Sequence, residues 1–276
     1  MSNTTTQSKQ ATRFITCGMY AFTDQLRVAW QKLFDCYSSE FESFAVDRNL
    51  KFGSGKEMLR DPQLFVGHTC GYPLMHGLQD DLTPVCVPLF DIAGCDGKYY
   101  ASQFIVGIDS NIESLADCYQ RVAAMNDTDS NSGMNLLRHA IAVLSEGKPY
   151  FSKVLETGSH FQSFVDVAER RADIAAIDCV SYQLIVDNWP DMAARVRSIG
   201  FSESTCGLPF VMPKSLLGVT DKKDITTGLN KAVLKLAGEF RDQLHLLGFE
   251  QVDIEDYQGI VDLETSAQQL DYPLLS

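Results

Sequence analysis

The chain has 276 residues, 45% hydrophobic and 21% charged, long enough for one large or two modest α/β units. Its formal net charge is −13, which argues against a nucleic-acid surface, and no apolar run is long enough to insert into a membrane. The first residues, MSNTTTQSKQATR, are polar and hold no hydrophobic signal core, so residues 1–11 are expected to form a disordered tail and the chain as written carries no leader. There is no basic run, internal repeat or low-complexity tract.

Taken in order, FITCG (Phe14 to Gly18) reads as a first strand, followed by a helix whose apolar positions are Leu26, Trp30, Leu33 and Phe34. LFVGHT and VCVPLF read as two more strands around GYPLMHGLQDD. YYASQFIVG, Tyr99 to Gly107, is a longer β run. QRVAAMN and YFSKVLET are strands, and GSHFQSFVDVAERR is an amphipathic helix. ADIAAID is a strand apolar on both faces, the pattern of a parallel sheet. ARVRSIGFS reads as a further strand, and two helices close the chain, near Leu229 to Leu247 and Ile254 to Leu270. Strand–helix alternation implies a mainly parallel α/β fold, with ligands beyond the carboxyl ends of strands where helices begin. The order suggests two lobes, residues 12–105 with 205–276 and residues 106–204, joined by the β runs near 100 and 200.

DSNSGMN, Asp129 to Asn135, follows QRVAAMN directly and opens a helical run (Met134, Leu137, Ile141, Leu144). One capping side chain suffices for a helix start, yet Ser130, Asn131 and Ser132 offer three. Either the surplus is ordinary loop composition, or the unpaired amides and partial positive charge of the helix end serve an anion, with Gly133 allowing close approach to the backbone. No G-K-[ST] follows, which excludes a P-loop.

Tyr72 sits in the turn of HTCGYPLMHG, where an ordinary connection with core aromatics competes with a ligand-facing hydroxyl. Ser159 and His160 in ETGSHFQSF stand at another helix start. Asp178 in AAIDCVSY leaves a buried strand, where it can orient a ligand or cap the next helix. The eight cysteines (Cys17, Cys36, Cys70, Cys86, Cys95, Cys118, Cys179 and Cys206) show no metal spacing and read as scattered thiols. Cys70 and Cys95 flank glycine turns and are the pair expected to lie close enough for a disulfide. An enzyme would need Cys70 with His68 or His160 as nucleophile and base, and no third orienting group supports that.

These stretches, TCGYPL, AGCDGKYY, DSNSGMN, ETGSH and ADIAAIDCVSY, together resemble the substrate-binding proteins of ABC importers for phosphate, phosphite and phosphonates. The resemblance implies a type II periplasmic-binding-protein-like fold: two lobes, each a mainly parallel sheet flanked by helices, hinged by two crossing strands and closing on a ligand without a chemical step. It implies ligand contacts from Ser130, Asn131, Ser132 and Gly133 at the helix start, from Tyr72 and Tyr100, from His160 and Asp178, and from Tyr20 after the first strand. It implies no cofactor or metal, a small phosphorus oxyanion or phosphonate as ligand, an ABC permease as partner, a monomer, and a periplasmic location. Without a leader the same chain would stay in the cytoplasm. His68 stands where relatives tend to have glutamine, and Asn131 where they often have threonine. Asp178 would repel bare phosphate but suit a protonated acid or an ammonium-bearing phosphonate. Alternatives are a ligand sensor or a module of this fold for another small anion, and a pyrimidine-synthesis-type enzyme.

Overall fold

The computed structural model describes residues 12–37 and 46–276, so the expected tail lies outside the described residues. The first sheet has six strands, β1 (Arg13–Thr16), β2 (Val46–Lys51), β3 (Leu64–His68), β4 (Leu82–Phe90), β13 (Phe210–Pro213) and β14 (Leu246–Gln251), in the order β14-β4-β13-β3-β1-β2. The second has five, β7 (Ser102–Gly107), β8 (Val122–Met125), β9 (Lys153–Glu156), β10 (Ile174–Asp178) and β11 (Val196–Phe201), in the order β11-β7-β10-β8-β9. A small third sheet, β5 (Cys95–Asp96), β6 (Tyr99–Tyr100) and β12 (Thr205–Cys206), sits where the chain passes between them. β1, β2 and β3 run parallel, as do β8, β9 and β10; β4, β13 and β14 in the first sheet and β7 and β11 in the second pair antiparallel.

Helix α1 (Asp24–Cys36) starts where the Thr23 hydroxyl accepts from the Leu26 N–H. It buries Leu26, Ala29, Trp30, Leu33 and Phe34, a stripe at three- and four-residue spacing. Removing Trp30 and Leu33 from water contributes on the order of 1.5–3 kcal/mol each. Short helices α2 (Lys56–Leu59) and α3 (Gly71–Pro73) flank β3. On the second sheet lie α4 (Leu136–Ser145), α5 (His160–Ala168), α6 (Cys179–Asn188) and α7 (Pro190–Ala193), with Pro190 in the first position of α7. Near the C-terminus the helix expected from Leu229 to Leu247 is instead two helices and a strand: α8 (Lys222–Lys235), α9 (Gly238–Leu244) and β14. His245, at φ 50°, ends α9 and turns the chain into the sheet.

The β run expected over Tyr99 to Gly107 is interrupted at Ala101, whose N–H donates to the Gly94 carbonyl and whose own carbonyl accepts from Cys179. At that point the two passages of the chain lie side by side. The Ser102 N–H donates to Ser202 Oγ and the Ser202 N–H to the Ser102 carbonyl, both at 2.9 Å. The last helix, α10 (Gln258–Gln269), crosses between the halves. Ile260 packs in a core with Leu59 and Leu64, while Ala267 and Tyr272 join the core of the second sheet with Leu137 and Ile141. The final carbonyl, on Ser276, accepts from the Tyr150 and Phe151 amides. The end of the chain is thus a strap that packs partly on the second sheet, although residues 205–276 are expected with the first.

Candidate ligand cleft between the two sheets

A cavity of about 520 Å³ opens between the halves, lined from the first by Tyr20, Lys56, Thr69 and Cys70 and from the second by Asn126, Ser130, Ser132, His160, Asp178 and others. It lies beyond the carboxyl ends of β3, β8 and β10, where helices begin.

Ser130, Asn131 and Ser132 of the DSNSGMN turn have three different occupations. The Ser130 hydroxyl accepts from the Gly133 N–H at 3.0 Å and caps the wide helical turn Asn131–Asn135 that leads into α4. Asn131 is fully buried, and its amide donates to Tyr100 Oη at 3.0 Å and Thr205 Oγ1 at 2.9 Å while its oxygen accepts from Asn135. Every side-chain contact of Asn131 therefore lies in the interior, and it ties the turn to the small third sheet. Ser132 faces the cavity with its Oγ 2.7 Å from His160 Nε2 and 3.4 Å from Ser130 Oγ.

His160 is the first residue of α5, whose N-cap is Ser159; the Ser159 hydroxyl accepts from the Gln162 N–H. Asp178 ends β10, accepts from the Ser181 N–H at 2.8 Å and so caps α6, and places its other oxygen 3.4 Å from His160 Nε2. Capping and a cavity position coexist in this one carboxylate. Burial pushes the His160 pKa down and the Asp178 charge only partly offsets that, so the ring is neutral at pH 7. Nε2 lies within reach of both the Ser132 hydroxyl and the Asp178 carboxylate, so the imidazole tautomer sets which of Ser132 and His160 donates to the other. His160 Nδ1 and Asn126 Oδ1 are both buried without a hydrogen-bond partner.

Of the expected site residues, Ser130, Ser132, His160, Asp178 and Tyr20 line this cavity; Asn131, Gly133, Tyr72 and Tyr100 do not. Tyr72 donates to Glu264 on α10 at 2.7 Å and stacks on His76 with ring centroids 4.0 Å apart. Burial, then the Glu264 contact, raises its pKa to about 12. Tyr100 is buried as the partner of Asn131. The space beside Gly133 is taken by protein: a Cβ there would fall 1.9 Å from Asn126 Oδ1. Glycine is needed at this position for a side chain's approach. Tyr20 adopts φ 57°, its carbonyl accepts from Trp30 Nε1 at 3.2 Å, and burial raises its hydroxyl pKa well above 10.

Neither histidine hydrogen-bonds Cys70 as a nucleophile–base pair would require. His68 Nε2 donates to the Leu208 carbonyl at 3.2 Å, its Nδ1 lies 3.9 Å from Cys17 Sγ, and its ring stacks on Phe210 at 4.3 Å. Burial holds its pKa down at about 3. The Cys70–Cys95 pairing is also corrected: all eight cysteines are free thiols, and the sulfur beside Cys95 is that of Cys179, at 3.4 Å. Among the described residues no group of three or more His, Cys, Asp or Glu side chains could hold a metal ion.

Several cavity residues carry no signal of their own in the sequence. Lys56 is the one Lys or Arg among the lining residues, and it pairs at 2.5 Å with Asp129 across the cleft. Asp129 opens the polar turn and Asn126 ends the QRVAAMN stretch before it, so both were within reach of the sequence; Lys56 belongs to the other half and comes near only through the fold.

Two α/β halves joined by paired chain passages, with a cavity between them at helix starts, define a ligand-binding protein of the type II periplasmic kind. The chain belongs to the family of phosphonate ABC-transporter periplasmic substrate-binding proteins, whose model matches residues 24–257. That family is a transport component and not a class of enzyme. Similar solved structures include a binding protein component of an ABC phosphonate transporter from Pseudomonas aeruginosa, with TM-score 0.73 and 18% identity over 95% of this chain and 88% of that one. A Prochlorococcus marinus protein solved in complex with methylphosphonate gives TM-score 0.69 and 16% identity over 94% and 98%. The periplasmic aliphatic sulphonate binding protein of Escherichia coli gives 0.65 and 15% over 97% and 91%. No curated protein matches the chain in sequence.

Proposed function

We propose that the cleft captures a phosphonate or another small phosphorus oxyanion and delivers it, unchanged, to an ABC permease at the periplasmic face. The observation that carries this reading is the convergence of Ser130, Ser132, His160 and Asp178 from three helix starts on one cavity. The donors facing the ligand are neutral, and Lys56, the single cation, is already paired with Asp129. Hydroxyl and helix-end N–H groups hold an oxyanion through short, directed bonds that strengthen once water is excluded, which suits a protein of net charge −13. Asp178 stands among them as an acceptor and favours a ligand that brings a proton or an ammonium group over bare dianionic phosphate. The two sheets act as the halves of the clamp, close to the expected division of residues 12–105 with 205–276 from residues 106–204 but with β7, from Ser102, in the second half, hinging at Ala101 and at 202–204 and strapped by α10. The protein works as a monomer. The ligands in the titles of the P. marinus and E. coli structures, methylphosphonate and aliphatic sulphonate, supply the first probes.

A thermal-shift panel of methylphosphonate, aminoethylphosphonate, phosphite, phosphate, an alkanesulfonate and simple carboxylates tests the reading. A ligand at about 100 times its Kd adds roughly 2.7 kcal/mol of stability. The reading expects the largest shift from a phosphonate or phosphite. Stabilisation by a carboxylate or sulfonate alone would overturn it.

A further inference from the structure

Cys95 and Cys179 are separated by 84 residues in sequence, yet their sulfurs lie 3.4 Å apart at the junction of the two halves. Cys95 belongs to β5 of the small third sheet and is half-buried; Cys179 is buried as the first residue of α6, directly after Asp178. Their proximity is held from several sides. The Cys179 N–H donates to Ala101, which in turn donates to Gly94, the residue before Cys95. Gly94 has φ 96°, and a Cβ there would lie 2.9 Å from Cys179 Cβ and 2.7 Å from the Phe201 ring. Any larger residue at 94 would push the two cysteines apart.

We propose that Cys95 and Cys179 are a modification site, a dithiol that a disulfide-type oxidant converts into a bond stapling the β5–β6 hairpin to the start of α6. The half-exposed Cys95 meets the oxidant first. Its thiolate attacks one sulfur of the oxidant's disulfide, expels a thiol and leaves a mixed disulfide. Cys179 then attacks the Cys95 sulfur, the Cys95–Cys179 bond forms, and the second thiol leaves. The pair loses two protons and two electrons, and the oxidant's disulfide takes them up as two thiols. In the reduced pair the hydrogen bond with Cys95, then burial, holds the Cys179 thiol well above its ordinary range. Modification of Cys95 removes the first of these causes at the step where Cys179 must react. A bond of about 2.05 Å requires the sulfurs to close by little more than a rotamer adjustment. Because α6 is capped by Asp178 and the hairpin carries Tyr100, the partner of Asn131, the staple ties one wall of the cavity to the hinge.

The test uses the full chain, reduced and then incubated with oxidised glutathione, alkylated and mapped by peptide mass. The expected product links Cys95 to Cys179 and leaves six of the eight thiols free. Cys95→Ser and Cys179→Ala each abolish the link, and Cys70→Ser keeps it. Closing so long a loop should raise the melting temperature by on the order of 5–10 °C in the wild type and in Cys70→Ser. Glutathione retained on Cys95 without the internal link, a link between other cysteines, or a link that leaves the melting temperature unchanged would each overturn the proposal. Wild-type mapping decides the pairing even if one variant fails to fold.

Discussion

Ser132 and Ser130 are equally buried, 4% exposed each, and sit 3.4 Å apart, yet the structure gives them different duties. Ser132→Ala removes a hydroxyl whose protein contacts are His160 Nε2 and the Ser130 hydroxyl, and the imidazole still faces Asp178 at 3.4 Å. The fold should lose about 1 kcal/mol, the net worth of one neutral hydrogen bond. A ligand oxyanion loses a donor to a charged group, worth about 1.5–3 kcal/mol, or roughly 10- to 150-fold in Kd. Ser130→Ala leaves the Gly133 N–H without its cap and costs about 1 kcal/mol of stability in addition to any ligand contact. Because the hydroxyls are neighbours, the double variant should lose less than the sum of the single losses. Calorimetric titration with methylphosphonate, or with whichever oxyanion gives the largest thermal shift, reads the affinity, and urea midpoints read the fold. A folded Ser132→Ala protein with unchanged Kd would refute the assignment of that hydroxyl to the ligand.

Acid should destabilise the protein through His68. Its folded pKa of about 3 lies below the ordinary 6.5, so the unfolded chain binds the extra proton and stability falls as pH drops below about 6.5. Between about pH 6.5 and 4.5 this residue alone costs roughly 2–2.5 kcal/mol, with His160 shifted the same way; urea midpoints across that window should flatten in His68→Gln, and an unaltered slope would contradict this. Asn131→Ala removes the donor to the buried Tyr100 and Thr205 oxygens and leaves the Asn135 amide with the Ile260 carbonyl as its acceptor, and it should cost at least ~2 kcal/mol by chemical denaturation; a near-neutral variant would show that the network is dispensable. Gly133→Ala forces a methyl onto Asn126 Oδ1 and should destabilise by about 1–3 kcal/mol, an effect that Asn126→Ala relieves in the double variant. Lys56→Met breaks an ion pair that is half exposed on both sides, so urea midpoints at low and high salt should differ from wild type by less than about 1 kcal/mol.

Local pattern was enough to mark β1, α1, β8, β10 and α5, because each is specified by its own apolar periodicity and, in the helices, by a nearby cap such as Thr23 or Ser159. The polar turn before α4 and the acid after β10 were legible for the same reason, since helix starts write their chemistry into a few adjacent residues. Strands β13 and β14 were not: FVMP is too short to show a period, and the apolar spacing of α9 runs on into LLGFEQ until His245 turns the chain and β4 supplies a partner. Nor could sequence divide the labour within DSNSGMN. Asn131 belongs to the interior because Tyr100 and Thr205 arrive there from 31 residues before and 74 after, and Ser132 belongs to the cavity because His160 arrives from another helix. The same holds for Cys95, whose glycine turn suggested a pairing with Cys70 while its sulfur lies against Cys179. A residue's propensity and cap act over a few neighbours along the chain, whereas which donor is already satisfied depends on groups brought together only when the two sheets and the C-terminal strap have packed.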